Sequence, residues 1–99
     1  MAVKVIWSTE VQAGKVSDAH SAFETAKTLA KEDGIDMTVG QEILGGDRVF
    51  YLFGEYESLS DYESKMKEAE KNKGWEEWAK SMVDIAVENS GDTTVVEMM

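Results

Sequence analysis

Ninety-nine residues carrying a net charge of −10, with twenty carboxylates against ten Lys and Arg, one His, no Cys and no Pro, describe one acidic domain over residues 1–99. A chain of this size buries about 60–70 % of the surface its unfolded form exposes, so its core is thin. The charge repels phosphate backbones and anionic membrane surfaces, which excludes nucleic acid and membrane as expected partners. Lack of Cys removes disulfides and thiolate chemistry. With no charged leader and no apolar stretch near the roughly 20 residues of a membrane span, the expectation is a soluble, cytoplasmic protein.

Ala2 to Thr9 alternates, with Val3, Val5 and Trp7 on one face and Lys4, Ile6 and Ser8 on the other, and predicts a first strand. From Gly14 the period lengthens. Val16, Ala19, Phe23, Ala26 and Ala30 recur every three or four residues, which predicts a helix that Gly34 stops. Ile35 to Leu44 alternates again, with Ile35, Met37, Val39 and Ile43 sharing a face, and Val49 to Glu55 is a dense apolar strand. Gly45-Gly46 joins these two as a hairpin, because both glycines tolerate positive φ. A two-residue loop and a three-residue loop that includes Asp47 give opposite registers, and the sequence leaves that choice open.

Ser58 or Ser60 can cap the next helix, Ser58 having Asp61 three residues on, and Leu59, Tyr62, Met66 and Ala69 then line one side. The pattern breaks at Asn72 to Gly74 and resumes with Trp75, Trp78, Met82 and Ile85, ending near Asn89 to Gly91. Thr93 to Met99 closes the chain as a strand around Val95 and Val96. The order β-α-β-β-α(α)-β is an α+β, ferredoxin-like unit, in which helices cover one face of an antiparallel sheet. Its third strand is apolar on both sides: Phe50 and Leu52 point one way, Val49, Tyr51 and Phe53 the other. A second copy packing sheet against sheet would cover the spare face, so a homodimer is expected. A terminal segment folding back over the sheet is the alternative.

Gly45-Gly46-Asp47, then Phe53-Gly54-Glu55-Tyr56-Glu57-Ser58-Leu59-Ser60-Asp61-Tyr62, then Gly74-Trp75-Glu76-Glu77-Trp78 resemble the NIPSNAP-like branch of the dimeric α/β-barrel superfamily. In that branch a strand ends in an acidic-aromatic-glutamate-Ser-Leu run ahead of a helix. The superfamily also holds cofactor-free antibiotic-biosynthesis monooxygenases, haem-degrading enzymes, chlorite dismutases and small lactone isomerases. The resemblance implies a ferredoxin-like protomer, a facing-sheet dimer and a ligand pocket between sheet and helices.

His20, the lone histidine, borders the apolar stripe of the first helix. There it is the candidate catalytic base, and the bland alternative is a border ring that packs its carbons and keeps a nitrogen in water. Trp7, Phe23, Tyr51, Phe53, Tyr56 and Trp78 are the candidate ligand-binding residues, set against plain core and interface packing. No metal is expected, since one His and dispersed carboxylates supply no ligand set, and no cofactor is expected. The acidic run Glu55, Glu57, Asp61, Glu63 suits a strand end and a first helical turn. Arg48 is a strand-end charge meeting Asp47 or Glu42. Two functions follow: binding a small hydrophobic or aromatic molecule between sheet and helices, or cofactor-independent monooxygenation or isomerisation of an aromatic or polyketide-like substrate.

Overall fold

A computed structural model of the chain describes residues 2–44 and 48–99. Its elements are β1 (Val3–Glu10), α1 (Val16–Glu32), β2 (Met37–Gln41), β3 (Val49–Tyr56), α2 (Leu59–Ala69), α3 (Lys73–Val83) and β4 (Asp92–Glu97). The four strands form one sheet in the order β2-β3-β1-β4, every neighbouring pair antiparallel. This is the ferredoxin-like arrangement that the order of periodicities predicts. Among the described residues no helix is long and apolar enough to cross a membrane.

Pairing sets which side chains share a face. Trp7 lies opposite Leu52 on β3 and Thr93 on β4, and Val39 lies opposite Leu52 from β2. Val3, Val5, Trp7, Thr9, Phe50, Leu52 and Tyr56 therefore look toward the helices, and Lys4, Ile6, Tyr51 and Phe53 look away. Gln41 pairs Phe50, and the Glu42 N–H donates to the Val49 carbonyl at 2.9 Å. That register is the one a two-residue Gly45-Gly46 loop would set, and the loop itself lies outside the described residues. β2 is shorter than the alternation suggests: it stops at Gln41, and Ile43 is 90 % exposed rather than on the core face.

α1 follows its sequence stripe. Ala19, Phe23, Ala26 and Ala30 are all buried. Its end is a Schellman motif: the Gly34 N–H donates to the Lys31 carbonyl at 3.1 Å and the Ile35 N–H to that of Ala30 at 2.8 Å. Gly34 supplies the required positive φ of 72°. Ser58, not Ser60, caps α2, accepting from the Asp61 N–H at 3.1 Å, while the Asp61 carboxylate accepts from the Glu57 N–H at 3.1 Å. That use of Asp61 is local capping chemistry, so the acidic run holds a helix start in place.

α3 begins where Asn72 caps the Gly74 N–H at 2.9 Å. It docks on the end of α1 through Trp75 Nε1, which donates to the Asp33 carboxylate at 2.8 Å. Gly74 permits the approach, since a Cβ there would come within 2.5 Å of the buried Leu29 Cδ2. The helix ends at Val83, earlier than the stripe through Ile85 implies. Ile85 is buried all the same, because the chain turns and pairs Ala86 with Val11 beside the end of β1. Of the two acids anticipated for Arg48, Asp47 lies outside the described residues, and in place of Glu42 the guanidinium lies 3.5 Å from Glu10, since β3 starts opposite the last residue of β1.

β4 stands apart. Each of its six residues is exposed, so the helices cover β2, β3 and β1 and leave the β4 edge bare on both faces.

Candidate functional site

The helix-facing side of the sheet opens into a cleft between β1 and β3 on one side and α2 and α3 on the other, which reaches β4 only at Thr93. One lobe, about 760 Å³, is lined by Trp7, Thr9, Gln12, Trp78, Met82, Val83 and the 86–91 segment. A second lobe, about 250 Å³, is lined by Val5, Met37, Leu52, Tyr56, Tyr62 and Met66. Trp7 and Trp78 line both lobes, and their rings meet edge to face with centroids 5.8 Å apart. This pair divides the cleft.

Each wall has a local cause. Trp7 is held by its place in β1 and by Phe23, whose ring stacks on it at 6.1 Å. Trp78 is pinned from α3 by its indole N–H, which donates to the Ala22 carbonyl at 2.7 Å. The 86–91 wall is fastened to the end of β1 by the Ser90 hydroxyl, which accepts from the Glu10 N–H at 3.0 Å, donates to the Val87 carbonyl at 2.7 Å and meets Thr9 Oγ1 at 2.9 Å. Tyr56 reaches back along its strand over Gly54: a Cβ on that glycine would lie 3.0 Å from the Tyr56 hydroxyl, so only Gly leaves the phenol its place. The ring of Tyr62 meets that of Tyr56 edge-on at 5.0 Å.

The polar content of the cleft is unusual in kind. Among the described residues, the Tyr56 hydroxyl, the Tyr62 hydroxyl and Trp7 Nε1 have no hydrogen-bond partner within the chain, whereas the indoles of Trp75 and Trp78 both do. Among the described residues no buried side-chain N or O atom is orphaned, so these three groups keep some exposure to open space. Neither lobe is lined by a Lys, Arg or His, and the one charged lining residue, Glu88, is exposed. Burial, followed by the neighbouring Tyr62 and Asp61, pushes the Tyr56 phenol up to about 12. It therefore stays a hydrogen-bond donor throughout the physiological range.

That shift carries a stability consequence of definite sign. The folded pKa of about 12 lies above the unfolded value of 10.0, so the contribution is full below pH 10 and is lost as pH rises from 10 to 12. Two units correspond to about 2.7 kcal/mol, and solvent reaching the cleft reduces this to roughly 1–2 kcal/mol. Urea denaturation at pH 9.5 and 11.5 is expected to show that extra loss in the parent and not in Tyr56→Phe. Equal losses in both proteins would remove Tyr56 as the cause.

Of the residues the sequence nominates, the structure gathers Trp7, Tyr56 and Trp78 at the cleft. Phe23 is 1 % exposed, packs behind Trp7 and, with Phe50, forms the floor of the recess that His20 borders. Tyr51 and Phe53 lie on the opposite face of the sheet, stacked on one another at 5.7 Å, with Lys4 over the Phe53 ring at 5.3 Å and the Tyr51 hydroxyl donating to Glu42 at 3.3 Å. His20 is exposed on α1 and stands edge-on to Phe50 at 5.3 Å. It borders a separate recess of about 170 Å³ with Glu24, Val39, Gly40 and Gln41, away from the Trp7–Trp78 cleft. Among the described residues, no three His, Asp or Glu side chains are grouped to hold a metal ion. Sequence reasoning missed Tyr62, Met37 and Met66 as cleft residues. The stripe through Leu59, Tyr62, Met66 and Ala69 could have found two of them, while the 86–91 wall carries no periodic signal.

No family model matches the chain, and no curated protein matches it either. Solved structures do. An uncharacterised NIPSNAP domain protein from Burkholderia xenovorans superposes with a TM-score of 0.82 at 11 % identity, over 100 % of this chain and 95 % of that one. A putative antibiotic biosynthesis monooxygenase from Bordetella bronchiseptica gives 0.77 at 15 % identity, over 99 % and 97 %. SnoaB, a cofactor-independent oxygenase from Streptomyces nogalater, gives 0.72 at 15 % identity, over 99 % and 93 %. The chain shares the fold of the NIPSNAP and antibiotic-biosynthesis-monooxygenase structures. At these identities the likeness is one of architecture, and fold alone does not fix activity.

Proposed function

We propose that the protein binds a small apolar or aromatic molecule in the cleft between sheet and helices, and that it does so as a homodimer with its sheets face to face. The observation that carries the first half is the Trp7–Trp78 cleft, whose walls are mostly apolar, with the unpartnered Trp7 indole N–H toward Gly91 in the larger lobe and the Tyr56 and Tyr62 hydroxyls at the smaller. The second half rests on the far side of the sheet, where Ile6, Val49, Tyr51 and Phe53 are only partly covered and Val96 is 40 % exposed. A second copy of this face is the economical cover for such a surface.

Cofactor-independent oxygenation, the activity named for the Streptomyces structure, would need a base at the bound molecule. His20, the candidate from the sequence, lies at the other recess, so binding is the function the geometry supports best. Native mass spectrometry of freshly purified protein tests both halves together. The expected result is a species at twice the chain's 11.0 kDa that carries additional mass. A bare monomer would overturn the dimer, and failure of any added apolar molecule to bind would overturn the cleft.

A further inference from the structure

Trp7 and Trp78 meet edge to face with ring centroids 5.8 Å apart, which is contact for an aromatic pair, so no molecule passes between them from one lobe to the other. The lobes are therefore two chambers with a common wall. Their polar groups differ as well: the larger has the Trp7 indole N–H toward Gly91, and the smaller has the Tyr56 and Tyr62 hydroxyls, all three unpartnered among the described residues. At about 250 Å³ the smaller lobe lies below the roughly 300–1,000 Å³ typical of sites for drug-sized ligands, which fits a single ring with a short substituent. The thioethers of Met37 and Met66 suit the edge of such a ring. An acceptor oxygen is what the two phenol protons lack. A cation stands close by: Lys65 Nζ lies 5.9 Å from the centre of the Tyr56 ring and 3.5 Å from an Asp61 carboxylate oxygen. Asp61 already matches that ammonium, so the pair brings no net charge to the lobe. An anionic ligand would compete with Asp61 for Lys65 on a chain of net charge −10, whereas a neutral acceptor needs only the phenol protons.

Resting on the cleft-binding reading above, we propose that each chain holds two molecules at once, one on either side of the tryptophan wall, and that the smaller lobe is a site of its own for a neutral single-ring molecule whose carbonyl oxygen accepts from Tyr56 and Tyr62. The larger lobe, about 760 Å³, takes a broader apolar molecule against Trp7, Trp78 and Met82. Each lobe has a handle that leaves the other untouched. In the smaller it is the pair of hydroxyls. In the larger it is Gly91: a Cβ there would make ordinary contact, 3.7 Å from Trp7 Nε1, and its φ is not in the left-handed region, so a larger side chain fills that lobe without straining the backbone.

The test uses Nile red, read by fluorescence, for the larger lobe and three single-ring probes, read by their fluorine resonance, for the smaller: 4-fluoroacetophenone, the 4-fluorobenzoate ion and 4-fluorotoluene, which has no acceptor. The ketone is expected to bind at least fivefold more tightly than the other two, and its dissociation constant should change less than twofold when Nile red is already bound. The double variant Tyr56→Phe/Tyr62→Phe should weaken the ketone roughly fivefold to tenfold, the loss of one or two hydrogen bonds, while Nile red binds as before and the circular dichroism spectrum is retained. Gly91→Leu should do the reverse, weakening Nile red about tenfold and sparing the ketone, and Lys65→Met should leave the ketone within twofold. Mutual displacement of ketone and dye, preference for the benzoate or the toluene, or a ketone affinity indifferent to loss of the hydroxyls would overturn the proposal while leaving cleft binding intact. Failure of both Nile red and the ketone to bind would remove the cleft reading and this inference with it.

Discussion

Phe23→Ala is expected to lower the unfolding free energy by about 3–5 kcal/mol, the largest loss of any single substitution in this chain. Phe23 is 1 % exposed and sits where three other rings meet it, with centroids 6.1 Å away at Trp7, 5.1 Å at Phe50 and 6.1 Å at Trp78. Removing it opens a cavity that β1, β3 and α3 line together, and α1 cannot settle into the gap while the Trp78 indole is bonded to Ala22 on the same helix. Domains of this size have about 5–15 kcal/mol in all, so the variant should be partly unfolded at 37 °C. Phe23→Leu, which keeps most of the volume, should lose much less. Urea midpoints for the two variants decide the matter, and a loss under about 1.5 kcal/mol for Phe23→Ala would mean that the ring is not the centre of the core.

Phe53→Asp is expected to convert a dimer into a monomer with little effect on the fold. Phe53 is partly exposed on the outer face, between Ile6 and Thr38 on the neighbouring strands, so the isolated chain loses mainly its stacking on Tyr51. In a facing-sheet dimer the same position is covered by the partner. A carboxylate there would be taken out of water with Lys4, which lies over the Phe53 ring at 5.3 Å, as its neighbouring cation, and because desolvating both charges outweighs their attraction the cost is about 2–4 kcal/mol, or roughly a hundredfold in the dimer dissociation constant. Sedimentation equilibrium should show the mass falling from twice 11.0 kDa to 11.0 kDa, with the circular dichroism spectrum unchanged. If Phe53→Asp stays dimeric, the facing-sheet arrangement is wrong.

The fold was largely legible because each element has a single dominant period. The α1 stripe and the Val3–Val5 face of β1 reappear as burial, Trp7 on the same face is half-buried at the cleft, and β3 is buried at Phe50 and Leu52 and half-buried at Val49, Tyr51 and Phe53. What misled was local chemistry overriding period. Ile43 continues the β2 alternation in sequence, yet the strand ends at Gln41 and leaves it 90 % exposed. Ile85 continues the α3 stripe, yet the backbone leaves the helix at Val83 and buries Ile85 by another route. The site was less legible than the fold. Trp7, Tyr56 and Trp78 were nominated as aromatics together with Tyr51 and Phe53, and which face of β3 turns to the helices, the point that separates Tyr56 from Tyr51 and Phe53, depends on a pairing register that a single-residue slip would reverse. Tyr62 was legible as a member of the α2 stripe, but its meeting with Tyr56, 5.0 Å between ring centroids, is tertiary packing that no spacing reports.

The bare β4 strand bears on how the chain folds. β4 has no helix above it, and its sheet partner is β1, with Val95 opposite Val5, so almost the whole chain must be ordered before this pairing forms. Loop-closure entropy makes such a contact late, and its scant burial gives it little to hold it once formed. β4 should therefore be the element that opens first and rejoins last, taking Thr93 away from the rim of the cleft while the β2-β3-β1 core stays closed. The sequence has no proline, so no prolyl isomerisation lies on that route. The slow event left to the single chain is the return of its last strand, followed in the proposed dimer by the meeting of two chains.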